Sequence, residues 1–113
     1  MVLRRNLIIP IFNYKLSVII FDEEDWDKVS QYSNIKTKLR GFVNYKPGEA
    51  KVFICSQFGS TIVHESEHIK NLIWDWIGYT PQPNNDEVDS YLITYIYNKI
   101  TDVFYKHKDL KQC

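Results

Sequence analysis

The sequence predicts an α+β domain: a small antiparallel or mixed sheet packed with an N-terminal helix and two long C-terminal helices. Three observations carry this. Short runs rich in β-branched and aromatic residues dominate residues 1–58. Two stretches of helical period follow, at about 60–77 and 85–105. Pro, Gly and Asn punctuate the segments between them. At 113 residues the chain suits one modest core, so 1–113 reads as a single domain.

Leu7 to Phe12 reads as a strand with an edge-type proline at Pro10. Asn13 and Tyr14 are turn candidates, and Leu16 to Phe21 reads as a second, mostly buried strand. The two form either a hairpin or one bent strand. Asp22, Glu23, Glu24 and Asp25 supply an acidic first turn for a helix of about three turns, with Trp26, Val29 and Tyr32 at three-residue spacing. The same cluster is a candidate cation site, although a dipole-stabilised helix start accounts for it. Gly41 to Tyr45, a turn over Lys46-Pro47-Gly48-Glu49, and Ala50 to Cys55 make the clearest hairpin. Ser60, a candidate N-cap, opens a helix that runs to Ile77. Its apolar stripe is Ile62, Ile69, Ile73 and Trp76, and Gly78, Pro81 and Pro83 end it. The last helix, about Asn85 to Tyr105, places Val88, Leu92, Tyr95 or Ile96, Lys99 or Ile100, and Val103 on its apolar face. The loop between is short enough to pack the two helices together.

Hydrophobic residues make up 44% and charged residues 25%, the balance of an ordinary globular protein. Lys plus Arg equals Asp plus Glu, at 14 each, which argues against a nucleic-acid or membrane partner. The basic tail of Lys106, His107, Lys108 and Lys111 reads as a solvated helix end. The two cysteines, Cys55 and Cys113, have neither disulfide-framework nor metal-type spacing. The apolar run after Arg4 and Arg5 is too short and interrupted for a signal peptide or membrane span. The expected location is therefore the cytoplasm.

The chemistry starts at His64-Glu65-Ser66-Glu67-His68. Residues four apart share one face of a helix, so His64 and His68 can hold one ion between their imidazoles. Glu65 can reach a water on that ion. Two neutral imidazoles and a carboxylate base form the His-Glu-x-x-His pattern of zinc hydrolases.

Eighteen residues, 69 to 86, separate His68 from Glu87. The motif with this spacing resembles the gluzincin branch of the zincin metallopeptidases, whose third ligand is a glutamate on the next helix. The resemblance implies Zn²⁺ held by His64, His68 and Glu87, with Glu65 as catalytic base and a peptide or protein as substrate. It also implies that the sheet's edge strand beside the site binds substrate in extended form, a part for Val52 to Ser56 or its neighbour. Residues 62 to 100 look more loosely like small zincin-like proteins encoded by bacteriophages and prophages. Glu67 and Lys70 depart from the family's preference for uncharged and apolar residues at those places.

Asp86 and Asp89 are rival third ligands, and Asn84-x-x-Glu87 is also a capping-box arrangement. Tyr91, one turn after Glu87, is a possible oxyanion donor or a core tyrosine. Asp75 is a candidate partner behind the ligands or a solvated aspartate. A different class of function fits the same residues: a non-catalytic, zinc-stabilised structural or assembly protein, such as a phage virion component among phage structural proteins. A closed site would need a fourth ligand, and His107 lies about 30 Å from Glu87 along a continuous helix. A helical protein with surface histidines and no metal is the third reading.

Overall fold

The computed structural model describes residues 2–34, 37–84 and 86–112, with side chains described as far as 108. Strands β1 (Val2–Ile9) and β2 (Tyr14–Phe21) pair antiparallel along their whole length, from Val2 opposite Phe21 to Ile9 opposite Tyr14. The hairpin alternative is therefore the one realised. It begins earlier than expected, with Arg4 and Arg5 inside β1, and Pro10 lies in the turn rather than in the strand. That turn is strained. Ile11 has φ 72°, a left-handed conformation that a β-branched residue rarely adopts, and its side chain is 97% exposed.

A helical run follows: a 3-10 turn at Glu23–Asp25, α1 at Trp26–Val29 and a 3-10 turn at Ser30–Tyr32. Strands β3 (Gly41–Lys46) and β4 (Glu49–Cys55) form the second hairpin, turned by Pro47 and Gly48 at φ 80°. β4 pairs parallel with β2, so the described residues make one mixed sheet in the order β1-β2-β4-β3. The fold class is α+β, as the sequence predicts.

The sheet buries both faces, and the period-two alternation of its central strands shows how. Leu16, Val18 and Ile20 of β2 stand beside Ala50, Val52 and Ile54 of β4 and face the long helices. The intervening Ile19 and Phe21, with Phe53 and Cys55, pack on Val29 and Trp26 of the helical run. Phe42 stacks on Phe53 there at 4.4 Å between ring centroids.

Helix α2 (Thr61–Ile77) and α3 (Glu87–Gln112) cover the first face. Ser60 occupies the N-cap position of α2, but its side chain makes no capping bond. Gly78, at φ 75°, ends the helix, and Tyr79 N–H donates to the Trp74 carbonyl at 2.9 Å. Trp76 is half exposed, and Trp74 is the buried tryptophan instead. Its ring packs edge-on against Phe12, and its indole N–H donates to Asp89 at 2.6 Å. α3 starts at Glu87; the expected start at Asn85 and the terminal Cys113 lie outside the described residues. Its buried face is Leu92, Ile96, Ile100, Val103 and Phe104, while Val88 is half exposed.

Two polar clusters sit inside this packing. Lys70 is buried on α2 and donates to Glu67 at 2.8 Å and to Asp89 of α3 at 2.9 Å. At the other end, the buried Ser56 hydroxyl donates to Asp22 at 2.6 Å, and His107 Nε2 lies 3.2 Å from the same carboxylate oxygen. His107 is fully buried, which corrects its reading as part of a solvated tail. Its ring turns inward because α3 runs past the ends of β2 and β4, where Asp22 and Ser56 emerge. Among the described residues no helix is long and apolar enough to cross a membrane.

Replacing Ile11 with Asn should stabilise the protein by about 1 kcal/mol, because Asn tolerates the left-handed region and little packing is lost. A lower melting temperature in the variant would refute the strain. Burial opposes the Lys70 charge, but its bonds to Glu67 and Asp89 outweigh this and raise its pKa above the usual lysine value. Burial likewise opposes the Asp89 charge, but Lys70 and Trp74 outweigh it and hold the pKa below the usual aspartate value. The Asp89 contribution is therefore present above about pH 3.9 and lost as pH falls through the lower folded value. The Lys70 contribution is full below about pH 10.4 and lost as pH rises through the higher folded value. Asp89→Asn should destabilise by about 2–4 kcal/mol at neutral pH and flatten the acid limb of a melting-temperature profile.

Candidate functional site

β4 leads through residues 56–60 directly into α2, which sets His64 and His68 in its first half. The helical run from Thr61 places them one turn apart on one flank. Their Nε2 atoms are 3.0 Å apart, with the rings edge to face. That is hydrogen-bond distance for a pair of imidazoles, and since two nitrogens bound at 2.0–2.1 Å to one tetrahedral ion would stand roughly 3.3 Å apart, the same pair could hold a shared metal with little movement. The neighbouring Glu65 points into the protein and is 4% exposed. One carboxylate oxygen lies 4.0 Å from His64 Nε2, and the buried Oε2 has no hydrogen-bond partner among the described residues. Burial pushes the Glu65 pKa up, and the His64 imidazole partly offsets the rise.

These three side chains line a cavity of about 720 Å³ between α2 and β3. Its other walls are Leu39, Gly41, Phe42, Val43 and Tyr45 on the sheet side, and Asn71, Leu72 and Asp75 further along α2. Gly41 is what allows β3 to come so close. A Cβ there would stand 3.2 Å from both the Phe53 carbonyl and Thr61 Oγ1, and 3.3 Å from Glu65 Cγ. The site strand is thus β3, the edge of the sheet, whose outer side pairs with no strand among the described residues. Val52 to Cys55 belong to β4, an inner strand, and their neighbour β3 is the candidate for an extended substrate.

Glu87 does not join the histidines. It is exposed at the start of α3 and does not line their cavity. The reason is the turn of α2 about its axis. Lys70 and Trp74, which face Asp89 on α3, lie roughly 120° around the helix from His64 and His68. The rivals are placed no better: Asp89 is committed to Lys70 and Trp74, and Asp86 is exposed at the head of α3. Tyr91 lies 72% exposed beside an apolar groove of Ile9, Ile11, Phe12 and Trp74, away from the histidines. The tyrosine that lines their cavity is Tyr45, which the sequence reading missed. Asp75 also lines it, two turns beyond His68. His107, tied to Asp22, stands elsewhere.

Among the described residues, three ligand-type side chains come within 4.8 Å of one another only at Asp22, Glu24 and Asp25. Asp22 there is already engaged by Ser56 and His107, and Asp25 by Lys28 at 3.2 Å. The helix-start account of this acidic run suffices. Compared with family models, curated proteins and solved structures, the chain finds no match.

A carboxyl group whose folded pKa is raised destabilises the fold once pH climbs past its ordinary value. Glu65→Gln should therefore raise the melting temperature at pH 7 in the presence of a chelator, and the gain should vanish near pH 4. A loss of stability at pH 7 would show that the buried carboxylate is better accommodated than its unpartnered oxygen indicates.

Proposed function

We propose that the chain is a zinc-dependent, metallopeptidase-like hydrolase in which His64 and His68 hold the metal and Glu65 is the general base. One observation carries this reading: the two Nε2 atoms converge at 3.0 Å in a cavity of about 720 Å³, beside a buried carboxylate with an oxygen that has no partner among the described residues. Bound zinc would supply Lewis acidity, lowering the pKa of a water and polarising an amide carbonyl. Glu65 would accept the proton from the attacking water and return it to the leaving amine. Its burial favours this, because a carboxylate with a raised pKa accepts and releases a proton near neutral pH more readily. The unpaired side of β3 would take the peptide by strand addition through backbone hydrogen bonds. The substrate class is accordingly an extended peptide or protein segment. A free, buried Cys55 fits a reducing compartment such as the cytoplasm.

The third protein ligand that the resemblance assigns to Glu87 is left out of this proposal, because the cavity contains no part of it. Metal analysis by mass spectrometry on purified protein tests the site. About one zinc per chain is expected in the wild type, lost in His64→Ala and His68→Ala and kept in Glu87→Ala. Glu65→Gln should keep the metal and lose at least 100-fold in peptide hydrolysis, on the order expected for a general base. Wild type that holds no zinc after resupply, or unchanged turnover in Glu65→Gln, would overturn the reading. Zinc lost in Glu87→Ala would return the third ligand to α3.

A further inference from the structure

The histidine cavity does not end at Asp75. A second cavity of about 290 Å³ shares Tyr45, Leu72 and Asp75 with it and adds Tyr14, Lys46, Pro47, Gly48 and Trp76. The two form one cleft, bounded by α2 on one side and by β3 and its turn on the other. Its two walls run in step. Gly41 of β3 lies against Glu65, and four residues on Tyr45 shares a cavity with Asp75, ten residues on in α2. Four strand residues span about 13 Å and ten helical residues about 15 Å. An extended peptide lying along β3 would therefore bring a side chain three to four residues from the histidines opposite Asp75.

The far end has a definite chemistry. The Asp75 carboxylate is exposed and makes no ion pair or side-chain hydrogen bond among the described residues. The one cation in this lining, Lys46, pairs with Glu49 at 2.8 Å, which leaves Asp75 as the lining carboxylate without an ion pair among the described residues. Tyr45 and Trp76 are 63% and 50% exposed, so both rings are open to a ligand. Trp76 is held in place by the turn, since a Cβ on Gly48 would stand 3.3 Å from its Cζ2. Leu72 lies between Asp75 and the histidines on the same flank of α2. A carboxylate flanked by open aromatic faces and an aliphatic floor matches a long cationic side chain. The stem of such a side chain would lie on Leu72 and Trp76, and its head would reach Asp75 while the rings add cation–π attraction.

We propose that this extension is a specificity subsite for a lysine or arginine side chain, with Asp75 as its counter-charge and Tyr45 and Trp76 as its walls. The proposal rests on the peptide-binding reading above but not on the hydrolytic step. Its test is therefore a binding experiment. A defined mixture of acetylated, amidated hexapeptides is equilibrated with the Glu65→Gln protein, with zinc added, and the retained peptides are sequenced by mass spectrometry. Lys and Arg should be enriched at one position. Asp75→Asn should reduce that enrichment about three- to tenfold, and Asp75→Arg should turn it toward Asp and Glu. Asp75 is exposed, so both variants should melt as the parent does. No retained peptide, no cationic preference, or a preference unchanged in Asp75→Asn would overturn the subsite. An Asp75-dependent preference in a protein that hydrolyses nothing as wild type would keep the subsite and remove the hydrolase.

Discussion

Lys70 carries its charge into the interior between two helices, and where that charge is neutralised decides how α2 is turned. Asp89 accepts both from the ammonium and from the Trp74 indole, so the flank holding Lys70 and Trp74 must face α3. A helix has one rotational setting at a time. With that flank fixed, Ile62, Ile69 and Ile73 fall on the sheet and the histidines turn to the far side, over the edge strand. Removing one partner of such a pair strands the other as a buried, uncompensated charge, which is why the setting is held firmly. The metal-type face of α2 is thus placed by a contact in which neither histidine takes part.

This setting also explains which parts of the molecule were legible in the sequence. The positions of β2, β3 and β4 followed from β-branched runs, and the second hairpin from its Pro-Gly turn, because those signals are local, whereas the first strand, read at Leu7 to Phe12, runs from Val2 to Ile9. The α2 boundaries came from Gly78 and the prolines for the same reason. The side of α2 on which Glu87 would arrive was not local. Periodicity put Trp76 on the apolar stripe, whereas the partner Asp89, which draws Trp74 inward, stands fifteen residues away. A motif spacing fixes the number of residues between two ligands but not the rotation of the helix that carries them. The cavity wall was hidden likewise: Gly41 has no side chain to announce itself, and its role appears only when Phe53, Thr61 and Glu65 close around it.

His107 makes the same point from the other end of the chain. Flanked by lysines, it reads as solvated, yet its ring is fully buried against Asp22. One turn of a helix suffices to send adjacent side chains in opposite directions, so a charged neighbourhood in sequence does not imply one in space. The bond from α3 to the end of β2, together with Ser56 at the end of β4, ties the last described turns to the two central strands. Both ends of α3 are therefore fastened by buried polar contacts, Asp89 near its start and His107 near its finish. Between them its buried face, among the described residues, is the apolar row of Leu92, Ile96, Ile100, Val103 and Phe104.

The character of the histidine site follows from what surrounds it. A metal that serves only to hold a fold is enclosed by protein ligands, usually four. The clamp between α2 and α3 is already made by Lys70, Asp89 and Trp74, and the histidines look away from it. They face a cavity of about 720 Å³ that has room for a substrate. Glu65 adds a feature that stability would disfavour: a carboxylate 4% exposed, with an oxygen lacking any partner among the described residues. Gly41 leaves little room for that side chain to swing away from the histidines. An under-partnered buried carboxylate held beside two convergent metal-type donors is the pattern expected where stability is given up for chemistry. That combination is the support for the proposed catalytic, rather than structural, role of the pair.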